Sequence, residues 1–431
     1  MPRPVIFRPA TRLIGQGIRY ASSLRGGGSA FPGLVMEKLD PDFVPRNLKK
    51  LPRGVVVISG TNGKTTTTKM TVQLLESQGL KVFTNRTGSN FVRGVAAALL
   101  AEMDFTGKLD ADIAVLELDE AHAVHFVKLV QPKYALLLNV MRDQLDRFGE
   151  IDTTRKMLTK VAQATTGTVV LNREDPRIRG IAEDVSKGTH VAYYGLSQQL
   201  RSKFPSDDEM RDKRRATQAE NLPEAAVTLS SFEGTSSHLL LGDREVTATI
   251  NLYGIYNVYN AAGALAVARE IMGDDVDESA LLRELGEVTP AFGRGESVSI
   301  GDRSLQLLLV KNPAGFRLSL ASATSQDYAT MMTINDEYAD GRDVSWLWDV
   351  DFDSLQNGGV DVVSGTRAYD MALRLEHDDV PVGAVNTDLA SALDEFIRGS
   401  GDRPMRVFCT YTSMLALRRE LAKITKVDDI G

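Results

Sequence analysis

The sequence reads as an α/β protein, with a larger unit built on a mostly parallel sheet followed by a smaller α/β unit. Two observations carry this reading. From Gly54 onward short β-branched runs alternate with longer amphipathic segments, the signature of parallel strands joined by helical crossovers. The alternation lapses in a polar stretch, resumes, and starts afresh after "TPAFGRGE", so a second sheet follows the first. The length of 431 residues agrees, since it leaves room for two or three domains.

Residues 1–53 form an arm and entry segment. Arg3, Arg8, Arg12, Arg19 and Arg25 precede "GGGSAFPG" (Gly26 to Gly33), which reads as a flexible turn. The arm is basic and weakly amphipathic, suited either to peripheral contact with anionic lipid or to packing as a surface helix on the next unit. Residues 54–295 hold the larger unit, with strands expected at Val55 to Ile58, Lys81 to Thr84, Ile113 to Leu118, Tyr134 to Leu138 and Thr168 to Leu171. The stretch 197–233 is polar, highly charged and poor in large apolar residues, so it is expected to be a loop-like insertion. Regular structure should resume near His238, and "GIYNVYNAAGALAVARE" has the small-residue and apolar spacing of a closely packed helix. Residues 296–431 hold the second unit, with strands expected at Leu305 to Val310, Thr330 to Ile334, Val344 to Trp348, Val360 to Val363, Val382 to Val385 and Arg406 to Cys409.

Composition narrows the function classes. A formal charge of -7 and a pI near 5.5 argue against a general nucleic-acid binder, whose affinity rests on excess Lys and Arg. A single cysteine, Cys409, excludes an internal disulfide framework and leaves no thiolate cluster for structural zinc, so no zinc is expected and a reducing cytoplasm fits. No apolar run approaches the roughly 20 residues of a membrane helix.

The segment "VVVISGTNGKTTTTKM" (Val55 to Met70) is the chemical centre of the sequence. An apolar strand runs into a turn, Gly60, Thr61, Asn62 and Gly63, and Lys64 then opens a helix that ends near Gly79. Successive backbone N–H groups and a helix N-terminus surround an anion well, and glycine lets the backbone approach it closely. Lys64 would reach the β/γ-phosphates of ATP, the Thr65 hydroxyl would ligate Mg2+, and Thr66 follows in the same turn. The usual eight-residue phosphate loop has glycine where this chain has Ile58.

That shortened "GTNGKTT" resembles the phosphate loop of the Mur ligase family, ATP-dependent enzymes that join a carboxylate to an amine. "LNREDP" (Leu171 to Pro176), "GIYNVYNAAGALA" and "FGRGE" resemble further motifs of that family, in the same order. The resemblance implies a Mur ligase-like central P-loop domain and a smaller Rossmann-like C-terminal domain. It also implies that Asn257 and Asn260 contact adenine, that Arg294 contacts the γ-phosphate at the hinge, and that Glu117, ending the strand "IAVLEL", binds Mg2+ with Thr65. Gln144 stands where most members have a metal-binding histidine, "DEAH" replaces their common "SS", and Lys156 is a candidate for the lysine that many members carbamylate.

Within the family, "NRTGSNFVRG", "RDQLDRFGE", "KNPAGF", "DVSWLWDVDF", "SGTRAYDMALRL" and "TYTSMLALR" resemble the MurT branch over nearly the whole chain. MurT proteins are synthetase subunits of lipid II isoglutaminyl synthase, and the resemblance implies a glutaminase partner similar to GatD and a lipid II substrate at the inner face of the plasma membrane. It implies ATP-dependent amidation of the stem-peptide D-glutamate α-carboxylate through an acyl phosphate, and a role for Asp349 in orienting the partner's catalytic histidine. Asp351 is the alternative residue, and the acids Asp349, Asp351 and Asp353 can equally begin a solvated loop after a strand. Many MurT proteins carry a four-cysteine zinc ribbon that this sequence lacks. Cys409 ends the apolar run "MRVFC" and resembles no glutaminase nucleophile, so glutamine would be hydrolysed on another chain. An amino-acid-adding Mur or folylpolyglutamate-type ligase, or a non-catalytic nucleotide-binding scaffold, are the competing readings. Neither "DNPR" nor "DYAHNP", strings typical of the amino-acid-adding members, occurs.

Overall fold

A computed structural model describes residues 31–85, 92–104, 106–142, 151–201, 204, 222–252, 254–289, 294–322 and 328–427. The arginine-bearing arm, Gln144 and most of the polar insertion lie outside the described residues. Fifteen strands of the described residues form two sheets. The first comprises β1 (Val55–Ser59), β2 (Val82–Thr84), β3 (Ile113–Glu117), β4 (Tyr134–Leu137), β5 (Thr168–Asn172), β6 (His190–Leu196), β7 (Val227–Glu233), β8 (Ser236–Leu241) and β9 (Arg244–Thr249). They stand in the order β2-β3-β1-β4-β5-β6-β7-β8-β9, parallel as far as β7 and antiparallel through the last two.

β1 shows why the centre of this sheet reads as an unbroken apolar run. Val56 and Ile58 pack into the core under the helices Lys64–Ser77 and Ile255–Met272, while Val55 and Val57 pack into the opposite core with helices Val92–Glu102 and Glu120–Leu129. Successive side chains point to opposite faces, and both faces are covered.

The second sheet comprises β10 (Arg294–Ile300), β11 (Arg303–Leu309), β12 (Ala329–Thr333), β13 (Val360–Ser364), β14 (Val382–Val385) and β15 (Met405–Cys409), in the order β10-β11-β15-β12-β13-β14. β10 and β11 form an antiparallel hairpin, and the remaining pairings are parallel. Helices Pro313–Ser322 and Ala368–His377 belong to one face, and Leu389–Gly399 and Tyr411–Leu421 to the other.

Three expectations are corrected. Gly33 lies within a helix, Phe31–Leu39, not in a turn. A Cβ there would fall 1.8 Å from the Arg93 carbonyl oxygen, so glycine is what lets this helix close on Val92–Glu102. The insertion ends earlier than its polarity suggests, because Val227–Glu233 is β7, with Val227 and Leu229 buried and polar residues between them turned outward. Val344 to Trp348 is not a strand, for Ser345–Asp349 forms a 3₁₀ turn. The buried Arg374 guanidinium donates to the carbonyls of Leu347 (3.1 Å) and Val350 (2.5 Å) and lies 5.3 Å from the centres of the Trp348 and Phe352 rings. Those carbonyls are bonded by a side chain, not by a neighbouring strand.

Candidate active site

β1 ends at Ser59, and the chain turns through Gly60 (φ 139°) and Gly63 (φ 89°) before helix Lys64–Ser77 begins. Gly63 is required twice over: its φ is strained for other residues, and a Cβ would meet the Asn260 Nδ2 at 2.6 Å. The turn is braced from the end of β4. Asn62 N donates to Asn139 Oδ1 (2.9 Å), Asn139 Nδ2 donates to the Asn62 carbonyl (3.0 Å), and Met141 N donates to the Thr61 hydroxyl (3.1 Å). That strand end is itself held by Asp175, which accepts from Val140 N at 2.7 Å and caps the following helix through Arg177 N and Ile178 N. Burial pushes the Asp175 carboxyl up to about 6, against the pull of those three N–H groups. The first N–H groups of a helix have no acceptor within it, and Gly63 ahead of them brings no side chain to cap them. They form a ready anion site.

Lys64 folds back over this turn. Its Nζ donates to the carbonyls of Gly60 (2.6 Å) and Thr61 (3.2 Å) and lies 3.3 Å from Asp119 and 3.8 Å from Glu120. Thr65 Oγ1 donates to Glu117 Oε1 at 2.8 Å, and Glu117 is fixed through its backbone by Asn85, which accepts from its N–H and donates to its carbonyl. A hydroxyl and a carboxylate side by side at the head of an anion-binding helix are the hard oxygen pair that Mg2+ takes beside phosphates. Thr66 Oγ1 is buried with no hydrogen-bond partner, a second polar group waiting at the same turn. The residues present therefore fit a Mg2+-nucleotide.

The second unit reaches this turn. Asn312 Nδ2 donates to Asn62 Oδ1 at 3.0 Å, Asn62 Nδ2 lies 3.4 Å from Asn312 Oδ1, and Lys311 Nζ lies 3.4 Å from the Thr61 carbonyl. Asn312 also accepts from Gly315 N at 2.7 Å and so fixes the start of helix Pro313–Ser322. The carboxyl edges of the two sheets thus face each other across the phosphate loop.

Comparison with known proteins agrees with this geometry. The Mur ligase middle domain model matches residues 58–268, and the MurT ligase C-terminal model matches residues 309–414. The lipid II isoglutaminyl synthase (glutamine-hydrolyzing) subunit MurT of Streptococcus pneumoniae is 30% identical over 95% of this chain and 96% of its own length. The chain belongs to the MurT family. The corresponding MurT subunit of Staphylococcus aureus is 30% identical over 82% of this chain and 84% of its own. Among solved structures, MurF from Acinetobacter baumannii matches with a TM-score of 0.68 at 18% identity, covering 91% of this chain and 80% of that one. A pseudomurein peptide ligase type C from Methanothermus fervidus matches with a TM-score of 0.66 at 17% identity, over 89% and 80%. These likenesses show the Mur ligase fold, and this MurT-family chain is an ATP-dependent ligase.

Of the residues singled out for this MurT-type site, Gly60, Thr61, Asn62, Gly63, Lys64, Thr65, Thr66 and Glu117 stand together, and Asn260 is buried against Gly63, where its amide shapes the loop. Asn257 is half-buried in the first turn of the same helix. Arg294, expected at the hinge that closes the larger unit, is the first residue of β10, paired with Leu308, and so opens the second sheet. Lys156 is exposed on helix Ile151–Ala164. Asp349 is exposed at the end of its 3₁₀ turn, so it and Asp351 do not share a strand face. Asp351 and Asp353 instead gather with Asp378, their carboxylate oxygens within 4.8 Å of one another. The sequence does not single out Asp119 and Glu120 as partners of Lys64, nor Asn85, Asn139, Lys311 and Asn312 as site residues; for Asn85 and the last two the signal is the resemblance carried by "NRTGSNFVRG" and "KNPAGF".

Proposed function

We propose that this chain uses ATP to amidate the D-glutamate α-carboxylate of the lipid II stem peptide, giving D-isoglutamine, with ammonia from a partner glutaminase. The observation that carries the reading is the Thr65–Glu117 pair beside Lys64 at the phosphate loop, in a chain similar to lipid II isoglutaminyl synthase subunits. A carboxylate oxygen of the substrate attacks the terminal phosphorus of ATP, ADP leaves, and an acyl phosphate results. Ammonia then attacks the acyl carbon, the bond to the phosphate oxygen breaks, inorganic phosphate departs and the surplus proton passes to solvent. Lys64 holds and neutralises the transferring phosphoryl, and Arg294 adds a planar cation from the hinge. Thr65 and Glu117 would hold Mg2+, which supplies further neutralisation of phosphate charge when bound. Asn257 and Asn260 are assigned to adenine, Asn260 from its place against Gly63.

Glutamine hydrolysis belongs to another polypeptide, a reading supported by Cys409, which is fully buried with its thiol pushed far up by desolvation. Asp349, exposed, is assigned to the partner's catalytic histidine. The test is product analysis with lipid II, ATP and either glutamine plus the glutaminase or ammonium alone. One ADP and one inorganic phosphate per amide formed is the expected result. ADP release with no amide, or incorporation of an amino acid instead, defeats the reading.

A further inference from the structure

In the second sheet β15 lies between β11 and β12. The helix after β15, Tyr411–Leu421, packs on one face, whereas the segments following β11, β12 and β13 pack on the other. Such a reversal opens a crevice at the carboxyl ends of the strands, the place where doubly wound sheets receive ligands. Leu309, Cys409 and Thr333 are in lateral register, so Lys311 and Asn335, each two residues on, leave the sheet on either side of Thr410–Tyr411. At a strand spacing of roughly 5 Å, Asn335 sits about 10 Å from the Lys311–Asn312 pair that touches the phosphate loop.

This crevice is filled from within. Asn335 Nδ2 donates to Thr412 Oγ1 (3.0 Å), Asn335 N donates to Thr410 Oγ1 (2.9 Å), and Asn335 Oδ1 accepts from Thr366 N (3.0 Å). One side chain therefore ties together the loops that follow β12, β13 and β15. The buried Asp340 accepts from both Thr412 N (2.8 Å) and Thr412 Oγ1 (2.5 Å), so it places a carboxylate on one of the first N–H groups of helix Tyr411–Leu421, where an incoming carboxylate would otherwise be drawn. The cations beside it are engaged: Arg367 with Asp336 (2.8 Å) and Lys311 at the phosphate loop.

We infer that the Asn335–Thr412–Asp340 network is the determinant that restricts the nitrogen donor to ammonia, by occupying the crevice in which a larger amine or an amino acid would lie. The inference rests on the amidation proposed above. A tied, acid-lined wall admits a small cation-forming nucleophile and offers no seat for an α-carboxylate. In the step concerned the nitrogen replaces the phosphate oxygen at the acyl carbon, inorganic phosphate leaves and one proton is lost, whichever amine attacks.

The experiment measures amide formation by the chain without glutaminase, with ATP and a lipid II analogue, using ammonium, methylamine or glycine at one fixed pH. The readout is the ratio of kcat/KM for methylamine to that for ammonium, so the different basicities of the amines cancel between variants. Wild type is expected to use ammonium and to leave glycine unused, and Asn335→Ala is expected to raise the methylamine ratio at least tenfold. Thr412→Ala, which removes the hydroxyl that both Asn335 and Asp340 engage, serves as the second variant and decides the matter if Asn335→Ala does not fold. Equal ratios in wild type and the folded variants overturn the inference while leaving the amidation intact. Wild type that forms no amide from ammonium defeats the amidation reading itself.

Discussion

Two carboxyl edges of parallel sheet face each other in this protein, and they use opposite chemistry. The edge of the first sheet is built from backbone: two glycines at positive φ, a helix start with no side-chain cap, and a lysine folded over it. The edge of the second is built from side chains that satisfy one another, Asn335 with Thr410 and Thr412, Asp340 with Thr412, Asp336 with Thr366 and Arg367. The same architecture therefore yields a receptor for a charged group or a closed wall, depending on whether the turns leave donors to a ligand or spend them internally.

The widest separation between the two units is expected at Asp349, which ends the 3₁₀ turn packed over the second sheet. Asp349→Asn should lower glutamine-driven amidation by as much as ~10⁴-fold, the scale of losing the residue that sets a histidine tautomer. Ammonium-driven amidation should fall far less, and parallel assays with the two nitrogen sources check it. Equal losses with both would place Asp349 in the ligase chemistry and erase the division of labour. Next is Lys64→Ala, expected to cost about 10²–10³-fold in kcat with either nitrogen source, because it removes a charge used at the transferring phosphoryl. Single-turnover ADP release checks it.

Asn312→Ala tests the place where the edges touch. Losing its bonds to Asn62 should cost roughly 1 kcal/mol, seen as a several-fold rise in KM for ATP with the fold retained. An unchanged KM would mean the second unit does not sense the loop.

The smallest effect concerns Asp175 behind the first edge. Its carboxyl is raised from 3.8 to about 6 in the folded chain, so the native state binds the extra proton between those values. The stability it contributes is present below about pH 4 and is lost as pH rises towards 6, opposite to a salt-bridged aspartate. The gap in Tm between wild type and Asp175→Asn should therefore widen as pH falls from about 6 to 4, and a thermal melt series measures it.

The first edge was legible in the sequence because its requirements are local. Glycines at fixed offsets after an apolar strand, then Lys-Thr, leave few other conformations, and Glu117 announces itself by ending a strand. The second edge was not, because its groups meet across distance in the chain: Asn62 with Asn312 lies 250 residues apart, and Asn335 with Thr412 lies 77. Polar residues that bond one another look, one at a time, like ordinary loop residues. The 3₁₀ turn at Ser345–Asp349 was misread for a related reason, since its apolar residues mimic a strand while its carbonyls are held by Arg374 on a later helix. β7 was missed because its outward side chains are polar and only Val227 and Leu229 mark the inner face.

Cys409 also gives the chain a built-in clock. It is the single thiol of the sequence, it sits at zero exposure on the strand between β11 and β12, and its Sγ lies 3.7 Å from the Leu308 carbonyl. An alkylating reagent can reach it when the helices Leu389–Gly399 and Tyr411–Leu421 lift from this face or β15 detaches, so labelling rates in native buffer count the openings of the second unit. A nucleotide that draws Lys311 and Asn312 more firmly onto the phosphate loop would slow that count without touching the thiol. Reading it needs no engineered probe.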